Sequence, residues 1–540
     1  MAGLLYVTMQ PNASLPPSHF HDWYHNEHGP LRLRLPFVEN GYRYRASDAM
    51  NPEWLAMYDI TDMQELTRET YLALRGDGIR TQREKDAMAQ IAVDRKLFDL
   101  LSDRKSADYR PLDSQPDPHS AGAVLLSVSM SVRAEGEDDF NRWYNEEHIP
   151  MLARIPGWQR SRRYVTSVID PKAPREYLAL HEFAPVNGLG GPEHKASIDT
   201  PWRNRVMADS VTDKTRRVFQ WHYTFGPAPR EMGTLTAPEA KNWSSNDGRT
   251  KTYASSSRPA VESFVTTADG VDLPYRLEGS TDPYSPVIVL SNSILVDWTV
   301  WDGFVDAFLS NPKNQSFRIL RYLTRGRLQN AGEKPVTIDL LASDIIALLD
   351  ALRIPSASLI GVSLGGVTVL NTSLLYPDRV NQFIACDTNS SSPESNRKAW
   401  NDRIVMAEAD GASSSTGEKI VGETLADATT RRWFVDESLI TQPQLFEHVK
   451  SVVKNNSLEG FRRAAQALCA YDVRERMANA TVPGLFVAGG GDGVLPQTMQ
   501  KMADDLKLDA ELKVIDQAGH LPMVEQPARF TEVVNSFIHA

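Results

Sequence analysis

Cysteine is almost absent: the 540-residue chain has two, Cys386 and Cys469. Usage this sparse excludes a disulfide-stapled scaffold and suits a reducing compartment, so the chain is read as cytosolic. A run of about 18 apolar residues is also missing, which leaves no candidate membrane span. The opening MAGLLYVTMQPN has too short an apolar stretch, and no basic leader, for a signal peptide; it reads as a first β-strand. No basic stripe occurs, and 58 Lys and Arg stand against 69 Asp and Glu, a net charge of -11. Nucleic acid is therefore not an expected partner, because phosphate neutralisation needs clustered cations. What is present is an ordinary globular composition on a chain too long for one core, so two to four domains are expected.

The first 225 residues contain a repeat. FHDWYHNEHGPL, from Phe20, returns as FNRWYNEEHIPM, from Phe140. Trp23, Tyr24, Glu27, His28 and Pro30 recur 120 residues later as Trp143, Tyr144, Glu147, His148 and Pro150. Each copy follows a short apolar run and precedes a Gly-aromatic pair, Gly41-Tyr42 or Gly157-Trp158. The spacing predicts strand, helix, strand, strand and a helical tail in each unit. Trp23 with Glu27, and Tyr24 with His28, share helix faces, and the proline ends the helix. Such a unit is a ferredoxin-like half whose sheet leaves one face uncovered. Two of them can pack sheet to sheet in one chain.

The doubled W-Y-x-x-E-H-x-P signature resembles the EthD-like members of the dimeric α/β-barrel superfamily. The resemblance implies a pseudo-dimeric barrel built from residues 1–115 and 116–225. Relatives include dehydratase-like, cyclase-like and monooxygenase-like enzymes, so the fold transfers better than any activity. His21, His25 and His28 fall at i, i+4 and i+7, a spacing that could hold a metal. The second copy replaces the first two by Asn141 and Asn145, and no metal is expected. His28 and His148 are candidate pocket groups, against the plainer reading that each hydrogen-bonds within its own unit. Residues 226–260, rich in Pro, Gly, Ser, Thr and Asn, read as a linker along which Trp243 and Tyr253 could dock.

From 261 to 540 strand-like and helix-like segments alternate, which predicts a parallel sheet with helices on both faces. Gly361-Val362-Ser363-Leu364-Gly365 follows an apolar strand and precedes a helical run, the context of a nucleophile elbow. A serine hydroxyl needs a base, and His520 in AGHLP stands after the last strand. Asp492, in GGGDG, is the expected acid that orients it; Asp387, in FIACDTN, is the competing position. The N–H groups of Leu364 and Ile294 are the expected oxyanion hole. Residues 392–480 read as a helical cap, with most of the aromatics Trp400, Trp433, Phe434, Phe446 and Tyr471 assigned to packing.

The segments SNSILVDWTVWDGFVDAF, FRILRYLTRGR, LIGVSLGG, CDTN, RRWF, VAGGGD and AGHLPMVEQP run in the order seen in 3-oxoadipate enol-lactonases, which this half resembles. The resemblance implies a cofactor-free α/β-hydrolase acting on a small lactone or ester. Ser363, Asp492 and His520 match its triad, and Asn292, Ser293, Arg432 and Trp433 are candidate substrate contacts. One departure stands out. The family's Tyr-Asp-x-Arg-Gly-His-Gly reads Tyr322-Leu323-Thr324-Arg325-Gly326-Arg327-Leu328 here, so acid, histidine and last glycine are lost. Carbon–carbon bond hydrolysis, a non-hydrolytic reaction and a binding protein with a silent hydrolase half stay open, as do monomer and homo-oligomer.

Overall fold

A computed structural model describes residues 1–508 and 510–540. It divides into two compact units, Met1–Pro229 and Arg230–Ala540.

The first unit has eight strands. β1 (Gly3–Pro11), β2 (Val38–Ala46), β3 (Trp54–Ile60) and β4 (Ile91–Lys105) come from the first repeat. β5 (Val124–Val132), β6 (Trp158–Thr166), β7 (Tyr177–Phe183) and β8 (Val211–Thr224) come from the second. They close into an antiparallel barrel in the order β1-β3-β2-β8-β5-β7-β6-β4. The fourth strand of each repeat was not expected. DRK and SDRK in β4, and TDKTRR in β8, interrupt the apolar pattern that announces a strand. These strands are also the ones that join the repeats. β2 pairs with β8 (Tyr42 opposite Thr224) and β4 with β6 (Phe98 opposite Thr166). The halves thus meet edge to edge, not face to face as expected, and closure removes the open edges a lone sheet would expose.

Alternation along the strands sorts the side chains into two sets. Leu4, Tyr6 and Tyr44 cluster with Leu125, Tyr164 and Phe219 from the other repeat. Leu5 and Met9 instead pack with Phe20, Trp23 and Tyr24 of the first motif helix, and Leu126 and Met130 with Phe140, Trp143 and Tyr144 of the second.

The motif helices do not end at their prolines. Pro17–Trp23 passes into a wider π-helical turn, Tyr24–His28, and resumes as Gly29–Leu33. The second copy does the same, with Tyr144–His148 wide and Ile149–Leu152 following. Gly29 N–H reaches back to the carbonyl of Tyr24, and Ile149 N–H to that of Tyr144. This five-residue reach accommodates a proline that has no N–H for the ordinary ladder.

The second unit is a ten-stranded sheet. β9 (Trp243–Ser244), β10 (Lys251–Tyr253), β11 (Ala260–Thr266) and β12 (Asp272–Gly279) form its antiparallel side. β13 (Val287–Ser291), β14 (Arg318–Tyr322), β15 (Ala357–Val362), β16 (Val380–Cys386), β17 (Gly484–Gly489) and β18 (Glu511–Ile515) form a parallel core. The order is β18-β17-β16-β15-β13-β14-β12-β11-β10-β9. β13, β14, β15 and β17 are buried throughout, as the inner strands of a helix-covered sheet are; β14 (RILRY) buries Arg318 and Arg321 as well, the first bonded to the Arg230 carbonyl and the second to Glu278. β9 and β10 arise within the segment expected to be a linker: Thr252 pairs with Trp243 and Val261, extending the sheet edge. Between β16 and β17 lie six helices, Asn396–Asp410, Glu423–Trp433, Asp436–Thr441, Pro443–Lys454, Leu458–Ala467 and Arg474–Met477, in the stretch read as a cap. Both cysteines are free. Among the described residues no helix is long and apolar enough to cross a membrane.

Candidate active site

The residues singled out in the second half gather past the C-terminal ends of its parallel strands. Ser363 directly follows β15, Asp387 follows β16, Asp492 lies three residues beyond β17, and His520 lies five beyond β18. Ser363 is held at φ 58°, a left-handed conformation that a side-chain-bearing residue adopts only under constraint. Its N–H donates to the Cys386 carbonyl at 2.8 Å, and its carbonyl accepts from Thr388 Oγ1 at 2.8 Å. The flanking glycines are sterically obligatory. A Cβ on Gly361 would stand 2.2 Å from the Gly365 carbonyl oxygen, and one on Gly365 would stand 2.2 Å from that of Ser291. The chain can therefore make this turn only with hydrogen at both positions.

Leu364 is the first residue of the helix Leu364–Leu375, so its N–H is one of the donors a helix start leaves unpaired. Ile294 lies in the loop after β13, beside Leu295 at φ 70°. Neither N–H donates to a backbone carbonyl of the described residues.

His520 Nδ1 lies 2.6 Å from Asp492 Oδ2. The histidine loop is braced from three sides. His520 N–H donates to the Trp433 carbonyl at 2.7 Å, and the Trp433 indole stacks on the imidazole, centroids 5.6 Å apart and planes 24° apart. Glu525 accepts from Gly519 N–H at 2.6 Å and from Val435 N–H at 3.0 Å, tying the loop to the end of the Trp433 helix. Glu525 is buried, and burial raises its pKa. Sequence reasoning missed it because a glutamate in MVEQP carries no local signal.

Asp387 takes a different place. Its Oδ1 accepts from Gly489 N–H at 2.9 Å, and it is fully buried at φ 43°. One oxygen each of Asp387 and Asp492 and one nitrogen of His520 lie within 4.8 Å of one another. The two carboxyls are driven apart. Burial, and then the charge of Asp492, raise Asp387 well above the usual carboxylate range. Burial also acts to raise Asp492, but the bond and charge of His520, together with Asp387 and Arg432, outweigh it and lower the pKa. Asp387 is thus the member that holds a proton more readily, and Asp492 the one that ionises first.

The remaining candidates divide. Asn292 is buried with its amide engaged on both sides: Nδ2 donates to the Tyr322 carbonyl at 2.8 Å, and Oδ1 accepts from Trp301 Nε1 at 2.9 Å. It braces the loop from a fully buried position, with one bond at each polar atom of its amide. Ser293 is buried and its hydroxyl has no partner among the described residues. Arg432 is exposed and acts on Asp492 through its charge, whereas Trp433 is buried against His520. Arg327, noted only as a departure, joins three segments. Its Nη1 donates to the carbonyls of Leu295 at 3.3 Å and Val452 at 2.7 Å and to Asn456 Oδ1 at 3.3 Å. It therefore ties the loop after β13 to the helical insertion.

In the first unit the motif glutamates anchor a second helix in each repeat. Glu27 accepts from Thr81 Oγ1 at 2.5 Å and Glu147 from Thr200 Oγ1 at 2.5 Å, and both threonines cap the helices that follow. His21, His25 and His222 bring one nitrogen each within 4.8 Å of one another. Arg43, fully buried, donates through Nη1 to His21 Nδ1 and His25 Nε2, both at 3.0 Å. A guanidinium thus takes one lone pair from each of two of these three histidines. The second repeat keeps the pairing with Arg163 Nη2 and Asn141 Oδ1, 2.6 Å apart. Histidine and asparagine exchange between the copies because both accept. Burial and then Arg43 lower His21 to about 2, so it is neutral and can accept. His28 and His148 part company: His28 Nδ1 faces both oxygens of Glu84 at 3.1 Å, whereas His148 Nδ1 faces the Ser197 carbonyl at 3.2 Å.

A match to the α/β hydrolase family covers residues 288–533, and the C-terminal half of the chain is an α/β-hydrolase that resembles enol-lactonases. The 3-oxoadipate enol-lactonase 1 of Acinetobacter baylyi is 29% identical over 275 residues, 51% of this chain and 96% of its own length. A protein described as carbamate hydrolase RutD, of Stutzerimonas stutzeri, is 24% identical over 268 residues, 48% of this chain and 94% of its own. The solved enol-lactonase of Burkholderia xenovorans LB400 is 29% identical over 51% of this chain and all of its own, with a TM-score of 0.45.

Proposed function

We propose that the C-terminal half is a serine hydrolase that transfers the acyl group of a small lactone or ester to water. The observation that carries this reading is the 2.6 Å contact between His520 Nδ1 and an ionised Asp492 at the strand ends where Ser363 is held in its turn. Asp492 keeps the proton on Nδ1, which leaves Nε2 as the base. Ser363 Oγ attacks the carbonyl carbon as its proton passes to Nε2. The oxyanion is taken by the N–H groups of Leu364 and Ile294. Collapse expels the leaving oxygen, which receives that proton. Water then attacks the acyl-enzyme with His520 as base, and the acid and free Ser363 are regenerated. Ser293 and Arg432 contact substrate in this reading, and Trp433 holds the imidazole. A carbamate presents the same carbonyl to the same groups, and the likeness to the RutD relative supports testing it.

The first unit is read as an EthD-like pseudo-dimer. Support comes from the doubled signature and from a strand order that repeats as β4-β1-β3-β2 and β8-β5-β7-β6. The test of the hydrolase reading is turnover of matched enol-lactone, aryl ester and carbamate substrates by wild type and Ser363→Ala. Serine-dependent release of acid from the lactone or ester supports it. Equal turnover by Ser363→Ala, or cleavage of a carbon–carbon bond, overturns it.

A further inference from the structure

The two barrel repeats share a fold but not a side-chain inventory. In the first repeat a cavity of about 200 Å³ opens between the strands and the helices, lined by His28, Arg32, Tyr71, Arg75, Glu84 and Arg95 among others. This is below the roughly 300–1,000 Å³ typical of drug-sized ligands, so the occupant is small. Its charge is one-sided, with several guanidiniums against a single carboxylate. That carboxylate is already engaged: Glu84 Oε2 accepts from Trp23 Nε1 at 2.5 Å, and both its oxygens lie 3.1 Å from His28 Nδ1.

Arg95 has donors to spare. Arg95 Nε is buried without a partner among the described residues, and Arg95 Nη2 reaches only the Tyr71 hydroxyl at 3.4 Å. Burial alone would raise the Tyr71 phenol, yet Arg32, Arg95 and Arg75 together lower it. The cavity is thus a positive field in a partly desolvated space, where an anion gains most. His28 adds a directional group. Burial, followed by Arg32, lowers it to about 4, so it is neutral near pH 7. With Nδ1–H directed to Glu84, its Nε2 is left as an acceptor. Leu5 and Val7 of β1 and the ring of Tyr24 supply apolar walls.

The second repeat lacks this set. Thr81 and Thr200 cap equivalent helices, and the third residue after each is Glu84 in one and Arg203 in the other. Arg32 lies two residues past Pro30; the matching position past Pro150 is Leu152, which is buried. His148 turns to a backbone carbonyl instead.

We propose that the first repeat carries a binding site for a small aromatic carboxylate, with Arg32, Arg75 and Arg95 receiving the carboxylate and His28 Nε2 accepting a hydrogen bond from a ligand hydroxyl. The site is independent of the hydrolase chemistry. The test is calorimetric titration of the full chain with 4-hydroxybenzoate and with its uncharged amide, 4-hydroxybenzamide. The acid is expected to bind with a Kd of about 1 mM or tighter, and the amide at least about tenfold more weakly. Arg95→Gln is expected to weaken the acid about tenfold or more, the loss of one charge-assisted bond. Arg75→Gln, at an exposed position, weakens it while leaving the fold intact and carries the test should Arg95→Gln fail to fold. Arg203→Ala, in the second repeat, leaves binding unchanged. Equal affinity for acid and amide, no binding of the acid, or unchanged affinity in the folded arginine variants would overturn the proposal.

Discussion

Asparagine at Asp492 and at Asp387 should have opposite consequences, although both carboxyls lie beside His520. Asp492 is ionised, with its oxygen 2.6 Å from His520 Nδ1. When the imidazolium forms, the charge centres are about 4 Å apart; at an effective dielectric of about 20 the attraction is about 4 kcal/mol. At about 1.4 kcal/mol per factor of ten, Asp492→Asn should lower kcat/KM by about 10³. Loss of tautomer control deepens the effect. Asp387 is raised by burial and by Asp492, and is therefore a neutral acid. An asparagine there still offers an oxygen to Gly489 N–H and presents an N–H where the hydroxyl stood. Asp387→Asn should therefore leave kcat/KM within about threefold. The linkage adds a second readout. A carboxyl whose pKa is raised by folding contributes stability below its unfolded pKa, about 4, which is lost as pH rises through the folded value. The Tm of Asp387→Asn relative to wild type should thus increase as pH rises above about 4. Ester hydrolysis and thermal unfolding of the three proteins measure both effects. A fall in Asp387→Asn as deep as in Asp492→Asn, or a loss under about tenfold in Asp492→Asn, would refute the assignment of charge.

Burial lowers His21 to about 2, His148 and His222 to about 3, and His28 to about 4. Their contribution is present above the unfolded value of about 6.5 and lost as pH falls below it, so the amide protection factors of the first unit, corrected for the intrinsic exchange rate, should fall from about pH 6.5 downward. His21→Asn, which copies Asn141, should lessen that slope, and an unchanged slope would contradict the account. Arg327→Met removes donors from the Leu295 and Val452 carbonyls. It should lower stability by about 1.5–3 kcal/mol, read by denaturant unfolding, and raise KM more than it lowers kcat.

The grouping of Ser363, Asp492 and His520 at the strand ends was legible because each stands in a local pattern. G-x-S-x-G needs glycines where a Cβ would meet backbone, and Asp492 and His520 stand in loops that follow apolar strands. What was not legible depends on partners distant in sequence. Arg43 explains His21 and His25 only once β2 faces the motif helix. Asn292 looks free until Tyr322 and Trp301 close on it. β4 and β8 were hidden by charges on their outward faces, and β9 and β10 by the polar composition of an edge. Pro30 reads as a helix end in any local rule; the wide turn that carries the helix past it is visible only in three dimensions.

The central claim, that Ser363 is an activated nucleophile, is tested most directly by intact-mass measurement after treatment with a fluorophosphonate. Wild type is expected to take a single adduct and Ser363→Ala none. A folded wild type that takes up no label, or an adduct that persists in Ser363→Ala, would contradict it.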